Sequence, residues 1–281
     1  MAVLEEGVVL ANGIEIPKIG FGTWKTPKDV APDAVASALA VGYRHVDTAR
    51  VYRNEEGVGQ GLARWLTASG TPRSEVFVTT KIPSSLKTYD EIGPCIDESL
   101  RLLGVDYIDL LLIHAPKPWP PKDGDDQKTY FEENTAVWRA MEDAYEMGTL
   151  KAIGVSNFEV PDLQNLLDSS TISPMVNQIE LRIGFAEAEL TAFCGANGIA
   201  VEAYSPLGTG ALLGNPDIAA VAARLGVSVP QLCIRYTLQK GAITLPKSVH
   251  PEYILANTKV DFEIPDADMA LLDGIDIPPT D

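Results

Sequence analysis

Cysteine is scarce in this chain of 281 residues: there are three, Cys95, Cys194 and Cys233, an odd number at scattered positions with no CxxC pair. That argues against a disulfide framework and a cysteine zinc site, and predicts a metal-free protein in a reducing, cytoplasmic setting with thiols that fill core space. Positive charge is short as well. The 22 Lys and Arg stand against 39 Asp and Glu, for a formal net charge of -17. Such a body repels nucleic acid and anionic membrane surfaces over long range, so neither is expected as a partner, and an anionic ligand must find a local cluster of donors. No apolar run approaches the roughly 20 residues of a membrane helix. The opening "MAVLEEGVVLANG" lacks the basic-then-apolar form of a signal peptide. No Gly/Ser linker or shift in composition marks a boundary, so residues 1–281 are read as one domain. A GxGxxG turn is missing too. The nearest match is "GVGQG", inside a helical pattern, which weakens the doubly wound sheet that is the runner-up fold.

What is present is a repeating pattern. Hydrophobic residues make up 46% of the chain and charged residues 22%, a balance that buries a large core. Short apolar runs recur: "KIGFGTW", "YRHVDTA", "VFVTTKI", "YIDLLLIHAP", "KAIGVSNF", "MVNQIEL", "IAVEAYSPL" and "AITLPKS". Most are continuously apolar, as strands buried on both faces are. Helical patterns lie between them, one opening after Asn54 as its N-cap and closing at Gly70. Eight strand–helix units predict an α/β fold, a single-domain (β/α)8 TIM barrel. Asn12-Gly13, between alternating apolar runs, predicts an N-terminal β-hairpin closing the barrel bottom. The polar stretch "KPWPPKDGDDQK" is expected to form a loop on the active face.

Barrel enzymes set their chemistry at the C-terminal ends of the strands. Here those ends carry Asp47 with Tyr52 just beyond, Lys81, His114, Ser156-Asn157, Gln178, Tyr204-Ser205 and Lys247-Ser248. Each alone has an ordinary structural role: a turn cap, a packed ring, a core histidine. Jointly they suggest more. A charged group at the tip of a buried strand must be paired, and Asp47 and Lys81 lie on adjacent strands. A free tyrosine has a pKa near 10, and an ammonium beside it is expected to lower that value. Such a group can protonate a carbonyl oxygen as it becomes an alkoxide. An acid reduces nothing by itself, so a nicotinamide cofactor is implied as hydride donor.

Four motifs, "GYRHVDTARVYRNEEGVG", "DYIDLLLIHAP", "GVSNF" and "AYSPLG…LPKSV", resemble the aldo-keto reductase family over essentially the whole chain. The resemblance implies a catalytic tetrad of Asp47, Tyr52, Lys81 and His114, with Tyr52 as proton donor. It implies ordered binding of NADPH and reduction of an aldehyde or ketone, a small-molecule carbonyl, by a monomer. Ser156, Asn157 and Gln178 would hold the carboxamide and Tyr204 would stack on the ring. Thr23, Trp24 and Asp47 would lie along the ribose side. Ser205, Leu207 and Gly208 would follow the pyrophosphate. Lys247, Ser248, Val249, His250, Tyr253 and Asn257 would meet the adenosine end. The substrate pocket would draw on Trp24, Tyr52, His114, Ala115 and Trp119.

Two departures stand out. Tyr253 occupies a position where the family often has an arginine, and a phenol supplies no cation for a 2'-phosphate, so NADH use is expected beside NADPH. Ala115 replaces a frequent tryptophan, which opens the pocket to bulky carbonyls unless Trp119 folds back. The short tail "DIPPTD" is expected to add little cover. A nucleotide-binding regulatory or redox-sensing subunit on the same fold is the alternative.

Overall fold

The computed structural model describes residues 2–119 and 128–277. Most of the polar stretch expected to form an active-face loop, including "DGDD", lies outside the described residues, as does the end of the tail.

A hairpin comes first: β1 (Gly7–Val9) runs antiparallel to β2 (Glu15–Pro17), with Val8 opposite Ile16. Gly13, at a φ of 85°, supplies the left-handed step of its turn. Val8 lines a cavity with Ile199, Ala200 and Ile243, at the starts of later strands, so the hairpin sits at the barrel bottom as the Asn-Gly signal predicts. Eight parallel strands then follow in order: β3 (Phe21–Gly22), β4 (His45–Asp47), β5 (Phe77–Ile82), β6 (Ile108–Ile113), β7 (Leu150–Ser156), β8 (Val176–Glu180), β9 (Ala200–Tyr204) and β10 (Ile243–Leu245). The last strand meets the segment leading into the first through a bridge between Ile19 and Thr244 and the bond from Gly20 N to Thr244 O, which closes the barrel. β5 and β6 are buried at every position, which suits their largely apolar sequences, and the polar groups they do carry, such as Lys81 and Asp109, are buried with partners.

The outer ring is α1 (Ala31–Ala40), α2 (Glu55–Ser69), α3 (Ile92–Leu103), α4 (Phe131–Glu146), α5 (Val160–Ser169), α6 (Ala188–Ala196), α7 (Pro216–Leu225), α8 (Val229–Gln239), α9 (Pro251–Ala256) and α10 (Asp266–Asp273). One long helical pattern after β9 proves to be two helices bent by 87°. Gly226, at a φ of 69°, ends α7, and Ser228 caps α8 through the amide of Gln231. Asn54 does stand at the N-cap of α2, yet its side chain caps nothing. It donates to the carbonyls of Thr23 and Thr26 and accepts from the Thr48 hydroxyl, tying together the loops that frame the site. Among the described residues no single helix is long and apolar enough to cross a membrane. Cys194 and Cys233 are buried and Cys95 partly so; burial pushes the thiols of Cys95 and Cys233 up to about 11 and 12.

Candidate active site

The last residue of β4 is Asp47, and Lys81 stands near the end of the neighbouring β5. The Lys81 ammonium is sealed from solvent and donates to Asp47 Oδ1 at 2.8 Å, Asp47 Oδ2 at 2.7 Å and the Thr48 carbonyl at 2.9 Å. It also reaches the Tyr52 hydroxyl at 3.5 Å. Burying the ammonium pulls its pKa down; Asp47 and Tyr52 more than reverse this, so Lys81 is held above its ordinary value and stays charged. A single-turn helix, Arg50–Tyr52, brings the phenol over this pair. His114 follows β6 directly, and its ring meets Tyr52 edge-on at 5.7 Å. Burial, reinforced by Lys81, lowers His114 to about 3, so it is a neutral imidazole.

Tyr52 departs from the sequence expectation. Its hydroxyl is pushed above the ordinary value, not below it. Loss of hydration is the largest cause and outweighs the pull of Lys81, while Asp47 adds to the rise. Sequence spacing shows a neighbouring cation but not the dryness of the site.

Beyond the tetrad a row of polar side chains crosses the strand ends. Ser156 Oγ donates to the Gln178 carbonyl at 2.8 Å, and Asn157 Nδ2 donates to the His114 carbonyl at 3.0 Å and to Ser156 Oγ at 3.1 Å. The Tyr204 hydroxyl donates to Asn157 Oδ1 at 2.8 Å. Asn157 and Ser205 both sit in the left-handed region, at φ 59° and 50°, and Asn157 is held there by its bonds to His114, Ser156 and Tyr204. Gln178 Nε2 donates to Asp47 Oδ2 at 2.9 Å, joining the row to the tetrad. Thr23 closes the other side, its hydroxyl on the Asp47 carbonyl at 2.9 Å. Trp24 is 40% exposed, with Lys25 over its ring.

The other expected cofactor residues form a separate strip. Leu207 and Gly208 lie in the loop after β9, where a side chain on Gly208 would meet Arg182 at 3.3 Å. Lys247 and Ser248 follow β10 rather than ending it, and Lys247 is exposed. The Ser248 hydroxyl accepts from the amide of His250, whose ring packs edge-on against Tyr253; Val249 and Asn257 are half-buried and buried beside them. Amide and hydroxyl groups around a tyrosine ring, with an ammonium and a hydroxyl at the far end, fit a nicotinamide at one end and phosphate at the other.

Trp119 is 80% exposed, so it does not fold back into the space beside Ala115. Three residues escaped sequence reasoning. Thr48 supplies a carbonyl to Lys81. Lys87 is buried and donates to Asn134 Oδ1 at 2.6 Å and to the carbonyls of Pro116 and Ala115 at 2.9 and 3.3 Å, fixing the chain just after His114. Glu202 lies fully buried beneath the tetrad. It precedes Tyr204 by two residues in "VEAY" and so shares its face, a signal that can be used only once the barrel interior at that level is known to be polar.

The family model for the Aldo/keto reductase family matches residues 18–277. An aldo-keto reductase of Mycobacterium sp. (strain JLS) is 43% identical, with 96% of this chain and 92% of the relative covered. A glyoxal reductase of Bacillus subtilis (strain 168) is 39% identical, with 97% and 93% covered. The crystal structure of a Bombyx mori aldo-keto reductase in complex with NADP superposes with a TM-score of 0.86 at 36% identity, covering 95% of this chain and 91% of that one. Full-length sequence likeness and a shared barrel lead to the same conclusion: the chain belongs to the aldo/keto reductase family.

Proposed function

We propose that this protein reduces aldehydes or ketones to alcohols, with hydride from NADPH and a proton from Tyr52. The observation that carries the reading is the Tyr52 hydroxyl within 3.5 Å of an ammonium that is itself gripped by both oxygens of Asp47. Bound along the ledge of Ser156, Asn157, Gln178 and Tyr204, the cofactor supplies hydride to the carbonyl carbon. A raised pKa keeps the proton on Tyr52 at neutral pH, as an acid catalyst needs. Once Tyr52 has given up that proton, Lys81 stabilises the phenolate, and Asp47 holds Lys81 charged and in place. Neutral His114, beside the phenol, donates a hydrogen bond to the carbonyl oxygen and polarises it.

Lys247 and Ser248 meet the 2'-phosphate without help from Tyr253, which is 58% exposed and carries no charge, so NADH is used as well as NADPH. The space beside Ala115 admits bulky or cyclic carbonyls. The likeness to a glyoxal reductase puts small dicarbonyls in the same panel. The protein works as a monomer in the cytoplasm.

The test follows the ultraviolet absorbance of NADPH and, separately, of NADH over a panel of aldehydes and ketones. Wild type is expected to consume cofactor, and Tyr52→Phe to bind it with turnover reduced about 10²–10⁴-fold. Wild type that binds cofactor and reduces nothing across the panel would overturn the catalytic reading in favour of a regulatory subunit.

A further inference from the structure

Beneath the tetrad lies a second buried acid. Glu202 on β9 stands opposite Gln178 on β8, in register. Its Oε2 accepts from Gln178 Nε2 at 2.5 Å, and the same nitrogen donates to Asp47 Oδ2 at 2.9 Å. One amide nitrogen thus spends both hydrogens on two carboxyl groups. The other oxygen, Oε1, is buried without a hydrogen-bond partner, 3.5 Å from His45 Nε2. That nitrogen lies on Thr79 Oγ1 at 2.9 Å.

Charge must balance in so dry a place. The facing groups can be named strand by strand. β4 brings His45 and Asp47, β5 brings Thr79 and Lys81, and β8 brings Gln178. The Tyr52 turn adds a neutral phenol, and β10, on the other side, offers only Ile243, Thr244 and Leu245. Among these groups Lys81 is the one ammonium, and its hydrogens are directed to Asp47, Thr48 and Tyr52. Two acids therefore share one cation. His45 could supply a second, but it has no exposed surface, and burial with the repulsion of Lys81 lowers it to about 3.

We infer that Glu202 is a positioning residue of this site and carries a proton in the working protein, so that it holds the Gln178 amide against Asp47 without adding a second negative charge beneath the tetrad. The inference rests on the reductase reading. A proton on Oε1 removes the charge from the unpartnered atom and makes it a donor facing His45 Nε2, 3.5 Å away, while Oε2 accepts from Gln178. With its nitrogen fixed on two acids, the Gln178 amide turns its oxygen away from both, where it can accept from a nicotinamide carboxamide. Burial first and Asp47 second push the Glu202 carboxyl up to about 8, in agreement with the geometry.

Infrared spectroscopy at neutral pH tests the proton directly. Wild type is expected to show the stretch of a protonated carboxyl that Tyr52→Phe keeps and Glu202→Gln lacks. Absence of the band from wild type, or its survival in Glu202→Gln, would show a His45 imidazolium facing an ionised Glu202 or another protonated acid, and overturns the inference. NADPH affinity, read by fluorescence quenching, tests the positioning. Glu202→Leu is expected to weaken binding roughly tenfold, with Glu202→Gln recovering most of that loss, as replacing one hydrogen-bonding partner implies. Wild-type affinity should fall as pH rises through about 8, and Glu202→Gln should not follow it. Equal affinities and equal pH profiles in all three proteins overturn the positioning role. The infrared band is independent of turnover, so a failure here is distinguishable from a failure of the reductase reading.

Discussion

His45 and Glu202 approach to 3.5 Å, and burial keeps both neutral, yet they pull stability against pH in opposite directions. His45 is lowered from 6.5 to about 3 on folding, so the unfolded chain binds the extra proton between those values. Its effect leaves stability intact above pH 6.5 and erodes it as pH falls towards 3. Glu202 is raised from 4.5 to about 8, so here the folded chain holds the proton. Its contribution is present below pH 4.5 and is lost as pH rises towards 8. Above about pH 6.5 His45 is silent, and Glu202 supplies a falling slope of up to about 1.4 kcal/mol per pH unit. Urea midpoints between neutrality and pH 8 should fall in wild type and stay flatter in Glu202→Gln; parallel slopes would refute the assignment. The four tetrad residues were legible because each ends or follows an apolar run. Glu202 was not, since an acid inside "VEAY" reads as the polar half of an alternating strand until a barrel interior is known to be polar at that level.

Among the elements, α2 shows what local pattern can and cannot say. Its start and its Gly70 stop were both readable, because caps are local devices. The work of the Asn54 side chain was not, because Thr23 and Thr26 come from the loop after β3, and Thr48 lies six residues back in its own loop. Asn54→Ala would strand the Thr26 carbonyl and the Thr48 hydroxyl in a buried place and leave the Thr23 carbonyl with the Thr26 amide alone, at a cost of about 2 kcal/mol. Thermal or urea unfolding should record that loss, beyond the typical effect of removing an N-cap. A change under about 0.5 kcal/mol would mean that water replaces the amide. The same limit explains β10. Sequence carried the strand to Lys247-Ser248, but its register with β9 ends at Leu245 opposite Tyr204, and no local signal marks where a partner strand stops.

For the molecule as a whole, the fold was the most legible feature, because eight apolar runs separated by helices have few compact solutions. Charge acts at this scale too. A net charge of -17 surrounds the site proposed to take an anionic cofactor. Added salt screens both the general repulsion and the local attraction of Lys247, and the larger opposing charge should dominate at long range. The association rate of NADPH, measured by stopped-flow fluorescence, is therefore expected to rise between low and physiological ionic strength. A rate that falls would show that the exposed Lys247 and its neighbours govern the approach. Salt dependence cannot be read from composition alone, since it turns on where the few cations stand.

The seam of the barrel has a consequence for biosynthesis. Ile19 and Thr244 meet there from opposite ends of the chain. While the ribosome is still making the last strand–helix unit, β3 has no partner on one side and β9 none on the other. Two unpaired edges are then displayed at once, the condition under which nascent sheets join to each other rather than to themselves. Both edges are short, at two and five residues, which limits what a neighbouring nascent chain could grip.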